Sequence, residues 1–280
     1  TRWLSDWSSD VCSSDLAFAG KGYGWDVTLD SNETDSDNNF GNWRYATKSG
    51  MKFEDTNGNG AKENGEPGVE GWRIDRFKVV GGTLVADGST TTDATGAYSF
   101  TNMVPGVRYF IAEELRSGWT QSFPHGTTGG DSSNAYADKG YGWDITLDSN
   151  ETDSGNNFGN WRYATKSGMK FEDMNANGVK NDGDDGLEGW TIYRYKVVDG
   201  SLVTDGSTLT DEDGAYSFTN MVPGVRYFIA EAHPDGWTQS YPNSSTGGDA
   251  SDAFAGKGYG WDVTLDSNET DSGNNFGNWQ

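Results

Sequence analysis

The chain has 280 residues, and its 43 acidic against 20 basic side chains give a formal charge of −23. Nucleic acids and anionic membrane surfaces are poor partners for such a chain, because both are bound largely through cationic side chains, whereas cations are good ones. Only 33% of residues are hydrophobic, yet twelve Trp, thirteen Tyr and thirteen Phe supply apolar area for several small cores, so disorder is not expected.

The first sixteen residues match nothing else in the chain. Asp6 to Leu16, DWSSDVCSSDL, resembles a sequencing adapter translated in frame, so residues 1–16 are set aside as an adapter-derived artefact. Cys12 lies in this stretch and is the only cysteine. The rest of the chain therefore has no disulfide, thiol nucleophile or Cys-ligated zinc to offer.

From residue 17 onward one pattern returns without slippage. GYGWD at Gly22 to Asp26 recurs at Gly140 to Asp144 and at Gly258 to Asp262, a spacing of 118 residues. Tryptophans keep the same register, as in Trp43, Trp161 and Trp279, or Trp72 and Trp190. A unit this long exceeds the repeats of solenoids, which cannot bury a core alone, so each is expected to be a domain. Residues 17–43 read as the C-terminal piece of a truncated repeat, and 45–161 and 163–280 as whole ones, which suggests an internal fragment of a longer array.

Within a unit the periodicity is that of strands. Met51 with Phe53, Trp72 with Ile74, and Tyr98 with Phe100 each mark one, with the named residues taken to face inward. Val107, Tyr109, Ile111 and Glu113 alternate with Arg108, Phe110, Ala112 and Glu114, and Tyr141, Trp143, Ile145 and Leu147 alternate with polar residues. Gly, Asn and Asp punctuate the gaps, and no stretch sustains a helical period. The fold class expected is all-β, as tandem β-sandwiches of about seven short strands each.

Four segments carry a family resemblance: SGMKFEDTNGNGAKENGEPGVEGW at Ser49 to Trp72, DATGAYSFTNMVPGVRYFIAEE at Asp93 to Glu114, GWTQSFP at Gly118 to Pro124, and NNFGNW at Asn156 to Trp161. Their order and spacing resemble the SdrD B-like domain. The resemblance implies a prealbumin-like β-sandwich, repeated in bacterial surface and secreted proteins, that serves as an extracellular calcium-binding spacer or adhesin module. It implies no enzymatic activity.

The residues themselves also point to calcium. Asp55, Asn57, Asn59, Gly60 and Glu66 stand at positions 1, 3, 5, 6 and 12 of a twelve-residue loop, with the Ala61 carbonyl at position 7, the spacing of an EF-hand loop. Alternate oxygens converge on one cation, and the glycine permits the sharp turn. The second copy offers Asp173, Asn175, Asn177, the Val179 carbonyl and Asp184, whose shorter side chain is expected to reach an ion less easily. The competing reading of AsnGlyAsnGly is a plain hairpin turn.

The acidic stretch Asp148 to Phe158 and its copies are expected to be solvated loops, with further calcium ligation as the alternative. Asp93 and Asp211 are possible extra ligands. Tryptophans are expected in cores, with a sugar platform as the alternative, and Trp161 is a candidate for packing at the domain junction. Pilin-type relatives of this sandwich form a Lys to Asn isopeptide bond promoted by a buried acid. Glu113, Glu231, Asn160 and Asn278 have inward parity for that role, but Lys52 and Lys170 fall out of phase with Met51, Phe53, Met169 and Phe171, so no such bond is expected. His125 and His233 are not at equivalent positions, and catalysis is not expected. The sequence thus reads as a calcium-stiffened spacer, extracellular on the cell surface or secreted. The alternatives are a module binding glycan or host protein, or accessory domains of a large secreted hydrolase.

Overall fold

The computed structural model describes residues 24, 27–126, 132–133, 137–246, 250–251, 254 and 256–280, so the adapter-like stretch lies outside the described residues. The chain divides into two compact units, Thr1–Trp43 and Arg44–Gln280. In the first, residues 27–43 contain a turn at 31–32 and no strand. Their copies in the second unit do form strands, each paired to a strand from an earlier part of its own repeat, and those earlier parts have no counterpart before residue 44.

Arg44–Gln280 folds as two sandwiches. The first is built from β1 (Ala46–Glu54), β2 (Arg73–Val80), β3 (Thr83–Thr91), β4 (Ala97–Met103), β5 (Arg108–Glu113), β6 (Thr120–Phe123), β7 (Ser132–Ser133), β8 (Gly142–Thr146), β9 (Thr152–Asp153) and β10 (Phe158–Trp161). One sheet runs β4-β1-β10-β6 with β9 also on β1, and the other runs β3-β2-β5-β8-β7. The second sandwich repeats this with β11 (Ala164–Glu172), β12 (Thr191–Val198), β13 (Ser201–Leu209), β14 (Ala215–Met221), β15 (Arg226–Glu231), β16 (Thr238–Tyr241), β17 (Ala250–Ser251), β18 (Gly260–Thr264), β19 (Thr270–Asp271) and β20 (Phe276–Trp279). The first and last strands, β1 and β10, are parallel neighbours, while β1 is antiparallel to β4.

The core lies between the sheets and contains the alternating residues read from the sequence. Trp72, Ile74, Tyr109, Ile111, Trp143, Ile145 and Phe158 are all buried in one cluster. Strand β1 departs from expectation. Its inward face is Ala46, Lys48, Gly50 and Lys52, with both lysines completely buried, and Met51 is only half-buried. Phe53 is buried on the opposite face, where it is covered by the bridge to Gly68, by Phe123 and by the close approach of Gly159. The alternation of apolar residues failed here because the outer face of β1 is also covered, and the apolar pair reports that cover and not the core.

Gly50 shows how closely this face is packed. A Cβ there would lie 2.0 Å from the Asn156 carbonyl oxygen and 2.9 Å from the Tyr98 ring, and Gly168 meets Asn274 in the same way. We therefore expect Gly50→Ala to destabilise the first sandwich by about 2 kcal/mol, the cost of forcing packed strands apart, read as a lowered urea midpoint. An unchanged midpoint would contradict the packing described.

Candidate functional site

The buried lysine of β1 defines the most unusual chemistry in each sandwich. Lys52 Nζ lies 2.5 Å from Asn160 Oδ1 and 3.4 Å from the Phe158 carbonyl oxygen. Glu113 Oε2 is 3.1 Å away, and both side chains of that pair are wholly buried. The Trp72 ring closes the box at 4.6 Å. Register explains the meeting. The parallel pairing of β1 and β10 sets Lys52 opposite Phe158 and Glu54 opposite Asn160, so Lys52 and Asn160 project inward from adjacent strands of one sheet. Glu113 ends β5 in the facing sheet, where pairing to β2 sets it beside Ile74. The second sandwich repeats the arrangement, with Lys170 at 2.6 Å from Asn278, 3.2 Å from Glu231 and 4.4 Å from the Trp190 ring.

Burial drives both ionisable groups toward neutrality. It lowers Lys52 to about 8, against the opposing pull of the Glu113 charge, and raises Glu113 to about 7, against the pull of Lys52. Lys170 and Glu231 are displaced in the same directions for the same reason. A neutral amine beside a side-chain amide and a protonatable acid is the donor set for acyl transfer onto nitrogen. The inward parity read for Glu113 and Asn160 holds, and the outward reading of Lys52 and Lys170 is corrected. The spacing Lys48, Gly50, Lys52, with every member on one face, was the signal available for finding them.

Lys48, two pleats earlier, is held by a different acid. Its ammonium pairs with Asp153 and lies 5.5 Å from the Trp143 ring. Asn156 Nδ2 donates to Asp153 at 2.9 Å, and the Tyr98 hydroxyl donates to the Asn156 carbonyl at 2.6 Å. The acidic stretch is therefore not merely a solvated loop. Thr152 and Asp153 form the short strand β9 against β1, and this delivers a carboxylate to a buried lysine. Asp93 accepts bonds from the Thr95 and Ala97 amides, which fixes the turn before β4.

The twelve-residue loop brings its predicted residues together. Asp55 is buried and accepts from the Asn59 amide at 3.1 Å and the Gly60 amide at 2.8 Å. Asn57 Oδ1 meets the same Asn59 amide at 3.1 Å, so two of the predicted oxygens converge on one point. Asn59 Oδ1 accepts from the Ala61 amide, and Ala61 itself is exposed. Glu66 closes the loop by accepting from the Thr56 and Glu63 amides at 3.0 and 2.9 Å, and burial raises its carboxyl above the usual range. Glu63 was missed by the sequence reading, yet it accepts from both Asn57 and Asn59. In the second copy Asp173, Asn175 and Asn177 repeat these bonds, and Val179 is exposed. Asp184, although shorter, reaches the corresponding Met174 and Asn181 amides at 3.1 and 2.7 Å. No cluster of three or more acids, histidines or cysteines is gathered among the described residues, so ligation here would draw on carboxamide and carbonyl oxygens as well.

Trp72, Trp143, Trp190 and Trp261 are core residues and form no open platform. Trp161 packs where one sandwich meets the next, near Gly58 and 5.0 Å edge-on from the Tyr163 ring.

Paired two-sheet sandwiches in tandem, each centred on a buried lysine, acid and asparagine, define a class of repeat built for structure, with no open cleft at its chemistry. Residues 46–160 and 168–278 match the SdrD B-like domain, and the chain belongs to that family. It is 32% identical over 204 residues to serine-aspartate repeat-containing protein F of Staphylococcus epidermidis, covering 69% of this chain and 11% of that protein. Against serine-aspartate repeat-containing protein E of Staphylococcus aureus it is 30% identical over 213 residues, covering 76% of this chain and 17% of the relative. The chain thus spans under a fifth of these curated relatives. Among solved structures, a streptococcal ancillary pilin aligns at 14% identity with a TM-score of 0.32, covering 82% of this chain and 62% of the pilin. The shaft pilin SpaA of Lactobacillus rhamnosus GG aligns at 12% with a TM-score of 0.29, covering 85% and 98%. At these scores the fold rests on the sheets described above.

The displaced pair has a pH signature wherever the amine stays free. In a chain carrying Asn160→Ala and Asn278→Ala, which also removes the Asn160 hydrogen bond that lowers Glu113, burial holds folded Glu113 protonated well above the 4.5 at which the unfolded chain loses its proton, so stability falls as pH rises from there. Folded Lys52 loses its proton near 8 against 10.5 unfolded, so stability rises again across the upper window. Adding Glu113→Gln and Glu231→Gln should remove the lower fall, seen in urea midpoints between about pH 5 and pH 7. The same fall in both chains would show that these acids are not its source.

Proposed function

We propose that this chain is part of an extracellular stalk whose sandwiches each close themselves with an amide bond, Lys52 to Asn160 and Lys170 to Asn278. The observation that carries this reading is a fully buried lysine nitrogen 2.5 Å from an asparagine side chain, with a buried acid at 3.1 Å, built the same way twice. The neutral Lys52 amine attacks Asn160 Cγ. The Nζ–Cγ bond forms, the Cγ–Nδ2 bond breaks, and a proton from the amine passes through the Glu113 carboxyl to Nδ2, which leaves as ammonia. Glu113 ends as it began, and no oxidant or cofactor is consumed. The step happens once per sandwich, so it matures the protein and does not turn over a substrate. It also suits repeats that contain no cysteine and have no disulfide available.

The reading gives a direct measurement. The intact mass should fall short of the residue sum by about 17 Da for each bond, the mass of one ammonia. Lys52→Ala should restore one such increment and Lys170→Ala the other. A mass equal to the full sum would overturn the proposal.

Calcium belongs to the same reading as a brace of the loops. Support comes from the loop spacing and from the convergence of the Asp55 and Asn57 oxygens, so Asp55, Asn57, Asn59, the Ala61 carbonyl and Glu66 would hold the ion, with Asp173, Asn175, Asn177, the Val179 carbonyl and Asp184 in the second copy. An ion bound only by the folded state stabilises it by mass action, so the melting temperature should rise with calcium, half-saturating on the order of 10⁻⁴ M. Asp55→Ala should remove the first sandwich's share of that rise. Coincident melts in EDTA and in millimolar calcium would refute the assignment.

A further inference from the structure

The two sandwiches meet through a small set of named contacts that starts one residue beyond Phe53. Glu54, the last residue of β1, accepts from Arg162 Nη2 at 3.2 Å and from the Ser267 hydroxyl at 2.7 Å. Arg162 lies in the linker, and its own amide donates to Ser267 Oγ at 2.9 Å, so the serine is fixed from both sides. The Ser267 amide donates to the Thr56 carbonyl at 2.7 Å. Arg162 also stacks its guanidinium 4.4 Å from the Trp119 ring of the first sandwich. Close backbone contact completes the seam: a Cβ on Gly224 would lie 2.0 Å from the Asn57 carbonyl, and one on Gly58 3.1 Å from the Pro223 carbonyl. One partly exposed ion pair is worth little, but these contacts fix direction, because two sandwiches are tied at a carboxylate, a hydroxyl and a backbone carbonyl at once, with backbone closely packed beside them.

Both halves of this seam recur elsewhere in Arg44–Gln280 without the other half against them among the described residues. Glu172 is the counterpart of Glu54 at the end of β11, and it has no side-chain hydrogen bond or ion pair among the described residues. At the other end, the Arg44 amide donates to Ser149 Oγ at 2.9 Å and the Asn150 amide donates to the Arg44 carbonyl, which matches the bonds of Arg162 with Ser267 and Asn268. Gly106, the counterpart of Gly224, has nothing within 4 Å of its Cβ position. This half therefore keeps its internal bonds with no second sandwich against it among the described residues of Arg44–Gln280.

We propose that Glu54, Arg162 and Ser267 form a head-to-tail connector that holds successive repeats at one angle. Glu172 with the start of its loop, and Arg44 with Ser149, are the open halves of the same connector, each shaped for another copy of this repeat. The occupant follows from the seam in this chain, where one repeat already sits on the next through these residues. Most contacts from the loop side use backbone carbonyls, so Met174 in place of Thr56 leaves them intact. Ala176 in place of Gly58 keeps a positive φ of 55°, and its methyl requires the opposing proline to give by a few tenths of an ångström. The side chains that make the connector, Glu54, Arg162 and Ser267, are distinct from Lys52 and Asn160 and from the side chains assigned to the ion.

Small-angle scattering of the full chain tests it. Glu54→Ala should broaden the peak for the spacing between sandwiches, while near-ultraviolet circular dichroism shows both sandwiches intact. Glu172→Ala, the same substitution one repeat later, should leave the profile unchanged. In a chain lengthened by a further copy of residues 162–279 after Trp279, Glu172→Ala should become as disruptive as Glu54→Ala. A Glu54→Ala profile that superimposes on the parent, an equal change from Glu172→Ala in the unextended chain, or an indifferent lengthened chain would each overturn the proposal.

Discussion

An amine inside a core of tryptophan and phenylalanine constrains everything around it. Lys52 is completely buried, and an unpaired ammonium in that setting would cost far more than a small domain's net stability. The sandwich answers with partners from both layers. The sheet that holds Lys52 supplies Asn160 from the neighbouring parallel strand, and the facing sheet supplies Glu113. The strand order follows the same requirement, since only a last strand lying next to the first brings position 160 to position 52. Buried polar clusters of this kind are sensitive to the loss of one member, because the others are left without partners.

Much of this was legible from residue order. The 118-residue spacing marked the repeats, and period-two alternation along β8 identified the face that reaches the core, while on β5, where Phe110 and Ala112 are as buried as Tyr109 and Ile111, the parity of Glu113 with Tyr109 and Ile111 placed it inward. The phase of β1 was not legible, because alternation distinguishes a covered face from a wet one only when one face is wet. Phe53 is buried by a loop and by Phe123, so both faces of the strand are dry at that point. The partner of Lys48 was hidden for another reason. Asp153 sits on a two-residue strand, too short to show any period, within a stretch whose composition suggests a solvated loop.

The predicted loop was legible in its spacing, and its neighbours were not. Glu63 falls outside the EF-hand ligand positions, yet it binds two of the predicted side chains. The seam between sandwiches brings Glu54 to Ser267 across 213 residues, and no local pattern encodes such a contact. Lys52, Glu54 and Asp55 therefore give the end of one strand three separate tasks: the core pair, the seam and the loop. The Asp55 amide, bonded to the Asn160 carbonyl at 2.9 Å, ties the loop back to the strand that carries the asparagine.

The parallel pairing of β1 and β10 also decides how an array would answer a pull. Tension enters a sandwich at Ala46 and leaves at Trp161, at opposite ends of two adjacent strands, so the ladder between them is loaded in shear. With Lys52 joined to Asn160, the load passes from one strand to the other through a single side-chain amide. The 108-residue separation between those positions then stays off the load path. At about 3.5 Å per residue, some 380 Å of slack per repeat would be withheld from extension. Such a stalk would transmit force along its length with little give.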